Sequence, residues 1–395
     1  MVVPGFRFAG LACGIKASGA ADLALIVSDL PASSAGLFTT NLVQAAPVVL
    51  SRRRVRSGKC RAIVVNSGNA NAATGTQGLA DAVATTSCVA RSLGLRDSEV
   101  LVCSTGVIGR PLPVARLLAG IPAAVGALSE RGLEAASEAI MTTDTRPKRA
   151  SRRVVLPDGR RITIAGFAKG AGMIDPRMAT LLAFVVTDAP VPPPALRTLL
   201  RAANEESFHR ITIDGDRSTN DTALALANGA AGGASLMPGK RGWKELASGF
   251  TAVMRELALG VVADAEGWTR TLEVGIAGAR NLREALAAAR AIAGSLLVKT
   301  AVHGADPNWG RILAAAGYSG ARFDPARAVV SIGPVRLYDR GRPAGPGPLA
   351  RVSQLMRARE LVPLRVDLAA GTAHTTVWTC DLSAEYVSIN ADYTT

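Results

Sequence analysis

Aromatic residues are scarce in this chain: Phe, Trp and Tyr make up 4% of its 395 residues. A face that stacks nucleobases needs a ladder of rings, so nucleic acid is not expected as a partner despite a formal net charge of +14. The two dense basic runs, Arg52-Arg-Arg-Val-Arg56 and Lys148-Arg-Ala-Ser-Arg-Arg153, are short and read as solvated surface. Cysteine is sparse too. Cys13, Cys60, Cys88, Cys103 and Cys380 form no C-x-x-C pair, which removes a zinc site and a disulfide framework and suits reduced thiols in a cytoplasm. Three histidines, His209, His303 and His374, lie too far apart in sequence to form a metal cluster by local spacing. Gly170-Ala-Gly172 lacks the third glycine and the following helix of a dinucleotide fingerprint, so neither metal nor cofactor is expected. No apolar run approaches the roughly 20 residues of a membrane helix, and the start of the chain lacks a basic stretch followed by an apolar one. The expectation is a cytoplasmic protein without membrane contact.

What is present is hydrophobic patterning, with apolar residues at 48% and enough chain for a large core. Short β-branched runs at 23–28, 62–66, 100–103, 181–187, 328–332 and 375–379 predict strands, several buried on both faces. Helical periodicity appears at 78–93, 113–128, 194–206, 243–257 and 282–293. Residues 154–165 predict a hairpin, since Asp158-Gly159 supplies the positive φ of a tight turn. Asp214-Gly-Asp216 with Asp221 lacks calcium-loop spacing and a closing Glu, and reads as a turn with capping aspartates. The Gly-rich stretch 166–178 predicts a loop running straight into an apolar strand, which places Thr180 at the junction. The class is mixed α/β, with sheets covered by helices.

Seven further strings accompany that junction, Lys169-Gly-Ala-Gly-Met-Ile-Asp-Pro-Arg-Met-Ala-Thr180-Leu-Leu-Ala-Phe184. They are Ile63-Val-Val-Asn-Ser-Gly-Asn-Ala-Asn-Ala-Ala-Thr-Gly75, Cys103-Ser-Thr-Gly-Val-Ile-Gly109, Met141-Thr-Thr-Asp-Thr145, Ile211-Thr-Ile-Asp-Gly-Asp-Arg-Ser-Thr-Asn-Asp-Thr222, Glu266-Gly-Trp-Thr-Arg270, Lys299-Thr-Ala-Val-His-Gly-Ala-Asp-Pro-Asn-Trp-Gly-Arg311 and Asn390-Ala-Asp-Tyr-Thr-Thr395. In this order they resemble the ornithine acetyltransferase family, also called glutamate N-acetyltransferase, of arginine biosynthesis, over nearly the full length. The resemblance implies a four-layer α/β/β/α sandwich of the self-processing acyltransferase/aminopeptidase type, with a smaller second α/β domain. It implies autocatalytic cleavage between Ala179 and Thr180, giving an α chain 1–179 and a β chain 180–395 that intertwine in one folded unit. Two copies of each chain would assemble as a heterotetramer.

By the same resemblance, Thr180 is the nucleophile. It takes acetyl from N2-acetylornithine, releases ornithine and passes the acetyl to glutamate. A freed α-amino group titrates near 7.7–8.0, close to working pH, so one residue can supply both nucleophile and base. The oxyanion hole maps onto Thr105 and Gly106 of the Ser-Thr-Gly-Val-Ile-Gly loop, each donor worth about 3 kcal/mol of barrier if preorganised. Substrate contacts map onto Thr143, Lys169, Thr180, Glu266, Asn390 and Thr395, with Thr142 and Thr145 as alternatives to Thr143. Lys169 suits an α-carboxylate and Glu266 a cationic side chain or amine. Acetyl-CoA is left open as a second donor. Asp175 and Arg177 stand where the family more often has a small or neutral residue and Asn, Trp268 stands for a usual Ala, and Arg270 for a usual Lys. A self-cut aminopeptidase or amidohydrolase of similar fold is the rival reading, in which water takes the acyl group.

Overall fold

The computed structural model describes residues 2–175 and 181–392. The chain divides into two compact units, the first taking residues up to His209 and Arg217–Val261, the second Arg210–Asp216 and the chain after Val261.

In the first unit the strands are β1 (Phe6–Leu11), β2 (Leu23–Ser28), β3 (Ser33–Phe38), β4 (Ala62–Asn69), β5 (Val100–Val107), β6 (Lys148–Val155), β7 (Arg161–Lys169), β8 (Leu182–Thr187) and β9 (Thr222–Ala227). The helices are α1 (Ala46–Arg54), α2 (Gly75–Leu93), α3 (Val114–Gly126), α4 (Leu133–Ala139), α5 (Pro193–Glu205) and α6 (Trp243–Val262). Two sheets result, ordered β1-β2-β4-β5 and β3-β9-β8-β7-β6. The period-2 geometry of a strand sends alternate side chains to opposite faces. Accordingly Ala24, Ile26, Ile63, Val65 and Leu101 meet Phe167, Phe184, Val186 and Leu224 between the sheets. Their neighbours Leu23, Leu25, Val64 and Val102 face outward against α2 and α3. On the far side α5 covers β3 and β9, and α6 crosses β6 and β7 with Gly249 on Val154 and Leu257 over Gly166. The sandwich is therefore helix, sheet, sheet, helix, as expected. Rings of Phe8, Phe167 and Phe184 meet in series across it, the first pair edge to face at 6.4 Å and the second tilted at 5.4 Å between centroids. Such pairs add about 1 kcal/mol each beyond burial.

The 166–178 loop begins later than its glycines suggest, because β7 continues through Lys169. Gly166 sits inside the strand, where a Cβ would lie 2.7 Å from the Phe184 carbonyl oxygen. That glycine serves close approach, and it does not break the strand. Likewise β4 and β5 run three and four residues beyond their apolar runs, so Thr105 and Gly106 belong to a strand end where a loop was expected. The expected hairpin is present, with Gly159 at φ +85. Neither basic run is simply solvated. Arg52 donates to the Thr39 carbonyl and lies over the Phe38 ring, Arg54 donates to the Val100 carbonyl, and Lys148 is buried on Asp144.

The second unit has β10 (Thr271–Ala279), β11 (Val329–Ile332), β12 (Val335–Asp339), β13 (Arg342–Pro343), β14 (Leu361–Asp367) and β15 (Ala373–Cys380), ordered β13-β12-β11-β14-β10-β15. Helices α7 (Leu282–Ala293), α8 (Leu296–His303), α9 (Trp309–Gly317), α10 (Pro346–Arg357) and α11 (Ala384–Asp392) complete it. Leu272, Val274, Val330, Leu364 and Val366 share one core with Ala285, Ala288, Ala289 and Ala293 of α7, which packs on β10 and β15. Among the described residues no single helix is long and apolar enough to cross a membrane.

Candidate active site

Strand β5 is the edge of its sheet and pairs in parallel with β4, Gly68 opposite Gly106, with a register slip at Gly68/Asn69. Gly106 has φ +131, and a Cβ there would stand 2.4 Å from the Gly68 carbonyl carbon, so only glycine fits. Thr105 beside it is 9% exposed. The Lys169 ammonium at the end of β7 donates to Thr105 Oγ1 at 3.1 Å, so the threonine oxygen is the acceptor in this contact and its own O–H is not spent on it.

Buried amides hold this strand end. Asn220 Nδ2 donates to the carbonyls of Ala70 at 2.6 Å and Ser104 at 2.8 Å. Ser104 Oγ donates to Asn66 Oδ1 at 2.6 Å, and Asn66 Nδ2 to the Asn69 carbonyl at 2.8 Å. Along the open side of β5, Ser51 of α1 replaces a neighbouring strand: its hydroxyl donates to the Val102 carbonyl at 2.7 Å and accepts from the Val102 N–H at 2.8 Å.

The charges around Lys169 are mostly buried. Asp144 accepts from Lys148 Nζ at 2.5 Å, from the Gly170 N–H at 2.7 Å and from the Thr142 N–H at 3.0 Å. Burial alone would raise its carboxyl, but the Lys169 and Lys148 ammoniums and these hydrogen bonds override it and hold it at about 2. Asp221, next to β9, shows the opposite balance. Burial pushes its carboxyl well above the usual range, and neither hydrogen bonds from Ser218 and Thr39 nor the Lys169 charge compensates. Thr143 is half-buried between Thr142 and Asp144, and Thr145 is exposed. Asp175 faces Arg217, Nε to Oδ2 at 3.6 Å, so the acidic departure at this position carries an ionic partner.

In the second unit Asn390 Nδ2 of α11 donates to Glu266 Oε2 at 2.9 Å. Tyr386, one turn earlier, donates to Asp214 at 3.4 Å, and its hydroxyl is raised by burial and then by the charges of Asp214, Glu266 and Asp216. The 214–216 turn forms as expected, with the Asp216 N–H on Asp214 Oδ1 and Gly215 at φ +82. Trp268 turns its indole N–H to Thr271 Oγ1 at 3.0 Å, and Arg270 donates to the carbonyls of Met356 and His303. The partner of His303 is Asp381, at 2.8 Å.

Thr105, Gly106 and Lys169 are thus brought into contact in one unit, and Glu266 and Asn390 in the other. Ala179, Thr180 and Thr395 lie outside the described residues, as does Arg177. Sequence reasoning passed over Asp144, Asn66 and Asn220, although each stands inside a string it had singled out, and it read Asp221 as a capping aspartate where the structure shows a buried carboxyl beside β9.

A family model described as the ArgJ family matches residues 7–395. The arginine biosynthesis bifunctional protein ArgJ of Geobacter sulfurreducens is 52% identical over 395 residues, 100% of each chain. Its counterpart in Symbiobacterium thermophilum is 49% identical over 393 residues, 99% of this chain and 97% of that one. The crystal structure of arginine biosynthesis bifunctional protein argJ from Bacillus halodurans matches at TM-score 0.53 and 38% identity, covering 54% of this chain and 100% of that chain. On a family match that runs to the last residue and relatives similar end to end, the chain belongs to the ArgJ family.

Proposed function

We propose that the chain is an acetyltransferase of arginine biosynthesis, moving acetyl from N2-acetylornithine to glutamate through an ester on Thr180. The observation that carries this, in a chain of the ArgJ family, is the Lys169 ammonium on the Thr105 hydroxyl beside Gly106. In the first step Thr180 Oγ attacks the acetyl carbonyl and the oxyanion forms. The Thr105 O–H and the Gly106 N–H stabilise it, and the Lys169 charge 3.1 Å from the threonine oxygen strengthens that donor. The C–N bond then breaks, and the Thr180 amine returns the proton to the departing ornithine amine. In the second step the glutamate amine attacks the ester and regenerates Thr180. Lys169 would hold the α-carboxylate and Glu266, with Asn390, a cationic side chain; Thr143 and Thr395 complete the proposed contacts.

The nucleophile is released by self-cleavage after Ala179. Two facts support this reading. Leu182, two residues beyond Thr180, pairs directly with Lys169 in the β7–β8 ladder. The solved B. halodurans chain aligns over its whole length to 54% of this one, and residues 180–395 make up just over half of it. Two copies of each product would form the heterotetramer, and acetyl-CoA stands as a second donor to be tried.

Intact-mass measurement tests the proposal. Purified protein should give two species dividing after Ala179, and N2-acetylornithine alone should add one acetyl group to the 180–395 species, which glutamate then removes. A single uncut chain of 40.7 kDa would defeat the mechanism. Acetate release at one rate with and without glutamate would favour the hydrolase.

A further inference from the structure

Asp381, the residue after β15, buries its carboxylate completely and gathers four donors on two oxygens. Oδ1 accepts the backbone N–H groups of Thr269 and Arg270, each at 2.9 Å. Oδ2 accepts the Thr269 hydroxyl and faces His303 Nδ1 at 2.8 Å, which makes Nδ1 the hydrogen-bearing nitrogen of that contact. In the other direction the Asp381 N–H donates to the Arg270 carbonyl at 3.0 Å, one step beyond the Thr271–Cys380 pair of the β10–β15 ladder. A buried carboxylate is costly unless its lone pairs find partners, and here three of the four come from a single loop.

That loop is 266–270, and it begins with Glu266. Two residues past Asp381, Ser383 Oγ donates to the Gly267 carbonyl at 2.7 Å. Gly267 has φ +67, and a Cβ there would stand 2.5 Å from Ser383 Oγ and from the Tyr386 nitrogen, so the loop is pressed against the start of α11. The segment behind Glu266 is thus held at 267, 269 and 270, while the Glu266 carboxylate itself meets Asn390 of the same helix. His303 closes the arrangement from the end of α8, and Arg270 donates to the His303 carbonyl at 3.0 Å. His303 belongs to the 299–311 string, to which the resemblance assigns no substrate contact.

We propose that Asp381, held by His303, is a positioning residue: through the 266–270 loop it sets the Glu266 carboxylate, and so governs the hold on the acetyl donor's cationic side chain and not the hold on glutamate. This deepens the acetyl-exchange reading and rests on it for the role of Glu266. Glutamate carries no cationic side chain, so a misplaced Glu266 weakens the first half-reaction alone.

The test is Asp381→Asn, which keeps the shape and weakens the acceptor, made alone and together with Glu266→Gln. In Asp381→Asn the N2-acetylornithine concentration that half-saturates acetyl-enzyme formation should rise roughly tenfold, the usual worth of a charge-assisted hydrogen bond, with the saturated rate nearly kept and the glutamate KM unchanged. In the Glu266→Gln background the same substitution should add nothing, because two residues acting through one contact do not sum. A tenfold rise in both backgrounds overturns the assignment, and so does an equal rise in the glutamate KM. His303→Ala leaves the backbone donors on Asp381 in place and should weaken the donor in the same direction, while His303→Asn, which returns an N–H where Nδ1 stood, should restore it. These two carry the test if Asp381→Asn does not fold, and an unchanged His303→Ala then overturns the proposal. Calorimetric titration of ornithine reads the hold without any acetyl transfer. Weaker binding to Asp381→Asn than to wild type, with no such difference in the Glu266→Gln background, upholds the positioning role even if wild type is never acetylated, in which case the exchange reading alone falls. Equal binding by wild type and Asp381→Asn removes the role.

Discussion

Asp144 and Asp221, both buried near Lys169, should respond to pH with opposite signs. Asp144 titrates at about 2 in the folded chain and near 3.9 when unfolded, so between those values the unfolded state binds more protons. Its contribution, roughly 2 kcal/mol, is complete above about pH 4 and is lost as pH falls towards 2. Asp144→Asn should flatten stability against pH across that window in urea unfolding. It should also destabilise at pH 7 by about 3 to 5 kcal/mol, because Lys148 keeps a buried charge without its carboxylate. Asp221 is raised, so above about pH 4 the folded state retains a proton that the unfolded chain has released, and stability declines as pH rises. Asp221→Asn should therefore raise the unfolding midpoint at pH 8 and change it little below pH 4. A lower midpoint at pH 8 would show that burial does not dominate at this carboxyl.

At the scale of elements, β5 owes its order to a helix as much as to its sheet. Ser51 satisfies both the N–H and the C=O of Val102, which among the described residues no strand does on that side. Ser51→Ala orphans two buried backbone groups and should cost roughly 2 to 5 kcal/mol in urea unfolding. It should also lower turnover, since Thr105 lies three residues along the same strand; a loss below about 1 kcal/mol would mean water substitutes for the hydroxyl. This dependence marks what the sequence could and could not reveal. Strands such as β2 and β8, buried on both faces, and helices such as α7 are legible because periodicity reports burial directly. The ends of β4, β5 and β7 are not, because Ser67-Gly68-Asn69, Thr105-Gly106 and Gly166 look like loop residues until the paired backbones and tight approaches are known. The same holds for the site. Thr105, Gly106 and Lys169 were identified through a resemblance, but the buried side chains that hold their strand ends, Asn66, Asp144 and Asn220, lie far apart in sequence, and no local pattern encodes such pairings.

At the scale of the whole molecule, the proposed cut and the structural units do not coincide. Strands β1 to β7 precede Ala179, whereas β8 and β9 follow Thr180, yet all belong to the first unit. In the sheet ordered β3-β9-β8-β7-β6, the two later strands lie between earlier ones, with β8 laddered to β7 over six residues and β9 to β3 over six. Phe184 and Val186 from β8 and Leu224 from β9 also fill the core opposite Ile26 and Ile63. Fragment 1–179 alone would lack the centre of this sheet and expose the inner face of the other, so separating the products costs much of the core. After cleavage the two products should therefore elute as one peak in native size exclusion and run as two bands on a denaturing gel. Guanidinium should part them, and its removal should restore the single peak only when both are present. Two native peaks from cleaved protein would mean that the strands do not interleave as described, and the assignment of β8 and β9 to the middle of the sheet would have to be abandoned.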